Sequence, residues 1–240
     1  MKKIFNLFAI FGIGCLLWLG SSSTAEATNN VCSQLDSQLL ISFQDNTGIR
    51  YDIDSSTTDP FFSLTAGLHP HEFVIVDEDT IWQANDTSVT PLTLTYGVPS
   101  ATINVGGTPN GMTLGPDGAV YAMVVGPAVT RTETTAPYTT STIITVGDGG
   151  FANEPFNAAN LGIEFGPDGN LYVISTRDSG GLQSSIKRYD GDTFAYIDDF
   201  VAETAGDWQD FGFHTDGYLY VSDYSNGVYR YDATTGAYVD

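Results

Sequence analysis

Apolar and polar residues alternate along Leu161–Phe165, turn at Gly166-Pro167-Asp168-Gly169, and alternate again along Leu171–Ile174. Strand side chains point to opposite faces in turn, so Ile163 and Phe165 share one face and Glu164 takes the other. Proline presets the turn, and glycine accepts the positive φ that closes it. The segment predicts a β-hairpin. The same phrase runs with drift through Asn110–Val124 and Asp210–Ser222, where Thr215 replaces the proline. A weaker copy joins Pro70–Ile75 to Ile81-Trp82 across the acidic turn Asp77-Glu78-Asp79. After the hairpin at Leu161–Ile174, a third strand is predicted at Ile186–Asp190 and a fourth at Phe194–Phe200. The third strand recurs as Arg-Tyr-Asp at residues 50–52, 188–190 and 230–232. Asn46–Asp52 aligns without gaps on Asn226–Asp232, which points to duplication of one unit.

The equivalent positions Glu72, Gly111, Gly162 and Asp210 lie roughly forty to fifty residues apart, a period that reads as a β-propeller. The expected fold is all-β, built of four-stranded antiparallel blades. About five blades fit the chain. The first is partial (Gln38–Ala66) and lacks a clear innermost strand. Three complete blades follow, at about 68–106, 107–151 and 158–202, and a fifth starts near 207. Open sheet edges are a liability that ring closure removes. The count therefore suggests a domain over 38–240 that is incomplete at its C-terminal end and belongs to a six-bladed propeller. A five-bladed closed ring is the alternative.

The first residues change the picture of where the chain works. Lys2-Lys3, the apolar run Ile4–Leu19 and the small-x-small triplet Ala25-Glu26-Ala27 read as a signal peptide over 1–27. Residues 28–37 read as a linker. The run is short for a spanning helix, so a secreted or periplasmic protein is expected, with no membrane association after cleavage. Cleavage leaves Cys32 alone, which excludes a disulfide scaffold. Lys and Arg number 8 against 29 Asp and Glu, a net charge of −21. That balance excludes a nucleic-acid partner, since phosphate contacts need a basic surface. The acidity reads first as solubility and second as attraction for cations, calcium included. Nucleophile-elbow, zinc, phosphate-loop and EF-hand patterns are absent from the sequence.

Gly162–Val173 followed by Arg-Tyr-Asp resembles the blade signature of NHL-repeat and SMP-30/gluconolactonase-like propellers, and more loosely the virginiamycin B lyase group. These families include lactonases, lyases and binding modules, so the fold alone does not select among them. Their ligands sit at one mouth of the central channel, where the innermost strands begin. The resemblance implies an oxygen-rich divalent-metal site at Glu72, Asn110 and Asp210, suited to calcium. The Glu-Gly-Pro element of that family is missing here. His69-Pro70-His71 resembles the start of a lyase-type blade, making His71 the candidate general base. His71 and Glu72 are adjacent, so only a bulge would let both line one surface. Gln209, Trp208 and Asn160 are the candidate ligand contacts, for a small molecule, a carbohydrate or a protein at the channel mouth. The expected function is a secreted ligand- or protein-binding propeller, with a metal-dependent lactonase or a lyase as the alternative. The repeated tyrosines (Tyr121, Tyr172, Tyr189, Tyr220, Tyr231) read as packing between blades.

Overall fold

The computed structural model describes residues 38–42, 47–52, 55–63, 70–77, 79–93, 97, 99–125, 128–152, 162–178 and 181–240. The segments read as signal peptide and linker, together with His69 and Asn160, lie outside the described residues.

Among the described residues seventeen strands fall into five antiparallel sheets, each a simple up-and-down meander. The first sheet joins β1 (Gln38–Ser42), β2 (Thr47–Asp52) and β3 (Thr57–Ser63). The second joins β4 (Pro70–Ile75), β5 (Thr80–Asn85) and β6 (Ser88–Thr93). The third has four strands: β7 (Thr108–Leu114), β8 (Val120–Val125), β9 (Ala128–Thr132) and β10 (Thr140–Thr145). So does the fourth: β11 (Ile163–Phe165), β12 (Leu171–Asp178), β13 (Leu182–Tyr189) and β14 (Tyr196–Ala205). The fifth joins β15 (Trp208–Phe213), β16 (Tyr218–Asp223) and β17 (Gly227–Asp232). Two sheets carry a fourth strand in outline. Val89 bridges to Ile103 and Leu92 to Pro99 in the second sheet, and Tyr231 bridges to Tyr238 in the fifth. Among the described strands no ladder joins the first sheet to the last.

The apolar core is divided among the spaces between successive sheets. Trp82, Ala84, Met112 and Val124 meet between the second and third sheets. Tyr121, Met123, Ile163 and Val173 meet between the third and fourth. Tyr172, Ile174, Trp208 and Leu219 meet between the fourth and fifth. One strand feeds two cores by its two-residue period: Leu171 and Val173 face backward, Tyr172 and Ile174 forward. A sheet buried on both faces in this way belongs to a series of sheets packed face to face, not to a two-layer sandwich.

The repeated turn is held by a side-chain network. Asp117, Asp168 and Asp216 each accept the backbone N–H two residues on, at 3.1 Å. Each also accepts the hydroxyl of a tyrosine four residues on: Tyr121 at 3.0 Å, Tyr172 at 2.9 Å and Tyr220 at 2.7 Å. Arg131 adds a bond to Asp117 at 2.7 Å. The first glycine of Gly-Pro-Asp-Gly is dictated by the tyrosine. A Cβ on Gly166 would sit 2.4 Å from a Tyr172 ring carbon, and one on Gly115 would sit 2.3 Å from Tyr121. The second glycine takes positive φ, 77° at Gly118 and 80° at Gly169. The rings of Tyr121 and Tyr172 are core residues while that of Tyr220 is half-buried, and all three hydroxyls close the turns.

Candidate functional site

The innermost strands β4, β7, β11 and β15 each pair on one side only. They stand side by side, β4 against β7, β7 against β11 and β11 against β15. In an antiparallel strand alternate N–H groups point away from the partner, so each inner strand has a free edge with donors to satisfy. Carboxylates meet that demand. Glu72 Oε2 on β4 accepts the N–H of Met112 on β7 at 2.5 Å. Glu164 Oε2 on β11 accepts the N–H of Phe213 on β15 at 3.1 Å. Asp210 Oδ1 accepts the N–H of Phe211 at 2.8 Å. Three acids thus line the inner edges, two of them tying one sheet to the next.

Three of the four inner strands break their ladder at the same place. The irregularity falls between Pro70 and Phe73 on β4, between Pro109 and Gly111 on β7, and between Trp208 and Asp210 on β15. A β-bulge bends the strand and re-aims its side chains. The residues at these bulges are His71-Glu72, Asn110 and Gln209. The break on β4 supplies the irregularity that a shared surface for His71 and Glu72 requires. Asn110 is buried at its bulge. Gln209 is half-buried and turns back to donate to Asp207 Oδ1 at 2.7 Å. The side chain of His71 lies outside the described residues.

Trp208 is placed in the core. Its ring is fully buried, packed edge-on to Tyr231 at 5.8 Å, and its indole N–H has no hydrogen-bond partner among the described residues. Trp82 is buried likewise, between the second and third sheets. His214 sits on the turn beside Asp216, 3.0 Å from its carboxylate, away from the inner edges. Glu72, Asn110 and Asp210 are oxygen donors of the kind calcium takes. They arise on three separate inner strands, and the oxygens Glu72 Oε2 and Asp210 Oδ1 already accept backbone N–H groups. Among the described residues no three His, Cys, Asp or Glu side chains gather closely enough to hold a metal.

Glu164, on β11, is a further partly buried acid of these inner strands. Burial, with the nearby charge of Asp210, pushes its carboxyl up to about 7, against the opposing bond from Phe213. Burial likewise raises Asp210 to about 6, opposed by the bond from Phe211. Two interacting acids with raised proton affinity on neighbouring inner strands can exchange protons with a bound molecule. A signal for Glu164 was present in the repeat: the equivalent position is Thr113 in the third sheet and Gly212 in the fifth. A charge there has no role in the hairpin itself.

No family model matches the chain, and no curated protein matches it in sequence. Its structure is similar to solved ones. Hydrazine synthase of Kuenenia stuttgartiensis superposes with a TM-score of 0.63 at 17% identity, over 84% of this chain and 61% of that one. A streptogramin B lyase gives 0.62 at 18% identity, over 85% and 64%. Virginiamycin B lyase from Staphylococcus aureus gives 0.57 at 14% identity, over 80% and 61%. This chain has the β-propeller fold. It spans less than two thirds of the length of these three neighbours. At such identities the likeness concerns the fold alone. Among the described residues no helix is long and apolar enough to cross a membrane.

Proposed function

We propose that the chain is a ligand-binding propeller whose site lies where its inner strands begin. The observation that carries this reading is the bulge repeated on β4, β7 and β15, which turns His71-Glu72, Asn110 and Gln209 out of the ladder at one level. Glu72, Glu164 and Asp210 make the same edges acidic, which favours a small molecule that is cationic or rich in hydrogen-bond donors. Secretion belongs to this reading through Lys2–Ala27, and a carbohydrate or protein ligand remains compatible with it. The test uses spermidine, arginine and calcium chloride as separate probes, with thermal unfolding as the readout. At least one probe raises Tm of the wild type by mass action, and Asn110→Ala and Gln209→Ala reduce the rise. A rise that both variants leave intact refutes the location. A rise with calcium alone supports the metal reading over an organic ligand.

A second reading, an enzyme of lactonase or lyase type, is favoured by the raised acidity range of Glu164 and Asp210. Lyases stand among the structural neighbours, and Gly162–Val173 resembles the blade signature of SMP-30-like lactonases. Hydrolysis of glucono-δ-lactone, measured with and without calcium, checks it. The enzyme reading expects turnover that Glu164→Gln lowers by at least about tenfold. Turnover unaffected by that substitution excludes Glu164 as the acid–base group.

A further inference from the structure

A second concave region lies away from the inner edges, between β14 and β17. It is a cleft of about 390 Å³ bordered by Tyr229, Tyr231, Tyr238, Glu203 and Thr204. Its volume falls in the range of small-molecule sites. Three tyrosines gather in this one cleft with their hydroxyls open to a ligand. Five other phenol groups are engaged: Tyr121, Tyr172 and Tyr220 bond to turn aspartates, Tyr189 to the carbonyl of Asp148, and Tyr196 to Asp199. The hydroxyls of Tyr229, Tyr231 and Tyr238 make no hydrogen bond among the described residues. The rings meet edge to face, Tyr238 standing 6.3 Å from Tyr229 at 62° and 5.7 Å from Tyr231 at 71°. They form a corner with aromatic walls. Tyr238 is 62% exposed, a large ring left facing water.

Each wall has a polar companion. Glu203 leans on Arg177 through Oε2 at 3.0 Å, a bond that fixes the carboxylate at the cleft border. Thr204 is exposed beside it. Aromatic faces beside phenol, hydroxyl and carboxylate groups match a molecule with an apolar C–H face and a rim of hydroxyls. A purely apolar ligand would cover the phenol hydroxyls without a partner, and an anion would meet Glu203 within a strongly acidic protein. We infer that the cleft between β14 and β17 binds the ring of a neutral saccharide, stacked on Tyr238 and hydrogen-bonded by Tyr229, Tyr231 and Glu203.

The test applies glucose, galactose, N-acetylglucosamine, maltose and cellobiose to the full chain, with saturation-transfer NMR and calorimetry as readouts. At least one sugar binds with a Kd below about 10 mM. Tyr238→Ala weakens that binding by about tenfold or more. Tyr229→Phe keeps the ring and removes the hydroxyl, so it weakens binding by about threefold with no change in Tm. Tyr224→Ala, at an exposed tyrosine that does not border the cleft, leaves binding unchanged. Failure of every sugar to bind overturns the inference. So does binding that survives both Tyr238→Ala and Tyr229→Phe. Binding abolished by Asn110→Ala instead places the sugar at the inner strands, which supports the first site and refutes this one.

Discussion

At the scale of single residues, Glu164 is where structure and chemistry pull against each other. Its carboxylate ties β11 to β15 through the Phe213 N–H, yet burial and Asp210 both disfavour its charge. Its folded acidity, about 7, lies above the ordinary glutamate value of 4.5. The group therefore binds a proton more readily in the folded state. Its contribution to stability is complete below about pH 4.5 and is lost as pH rises toward 7. Asp210 acts in the same sense between 3.8 and about 6. Glu164→Gln retains an acceptor for Phe213 and removes the ionisation. Expected is a higher Tm than wild type at pH 8, little difference at pH 4.5, and a flatter stability profile between. A variant with unchanged pH dependence shows that Glu164 does not titrate in this range. Its burial is created by the adjoining sheet, so the hairpin sequence around it revealed a charge and not its consequence.

At the scale of elements, the hairpins were legible because their information is local. Pro-Asp-Gly turns, two-residue alternation and a tyrosine four residues after the aspartate all lie within one short segment. The structure adds the reason for the leading glycine, which the ring of that tyrosine covers. Gly166→Ala drives a methyl into Tyr172 and is expected to cost about 1–3 kcal/mol. Gly212→Ala, where a Cβ meets nothing within 4 Å, is expected to cost less than half as much. Urea unfolding of both variants checks the difference, and equal losses would remove the ring-contact explanation. Trp208 shows what the local pattern missed. Its position beside Gln209 suggested the channel mouth, but the break in register between Trp208 and Asp210 sends its side chain into the core. The β14–β17 cleft was hidden for another reason. It brings Glu203 and Tyr238 together across two sheets, a distance along the chain that no hairpin motif spans.

At the scale of the whole molecule, a net charge of −21 acts on a stack of sheets. Self-repulsion among like charges opposes compaction, and salt screens it. Raising sodium chloride from about 10 mM to about 0.5 M is expected to raise Tm at pH 7.5, with sodium and potassium equivalent. A fall in Tm would mean that pairs such as Arg188–Asp198 at 2.6 Å outweigh the repulsion. The division of the core into inter-sheet layers also governs how damage spreads. Each layer shares residues with its two flanking sheets alone, so the fold behaves as a chain of coupled links. Hydrogen exchange is expected to be slowest at Val173 and Ile174, on the strand clasped by a layer on either side.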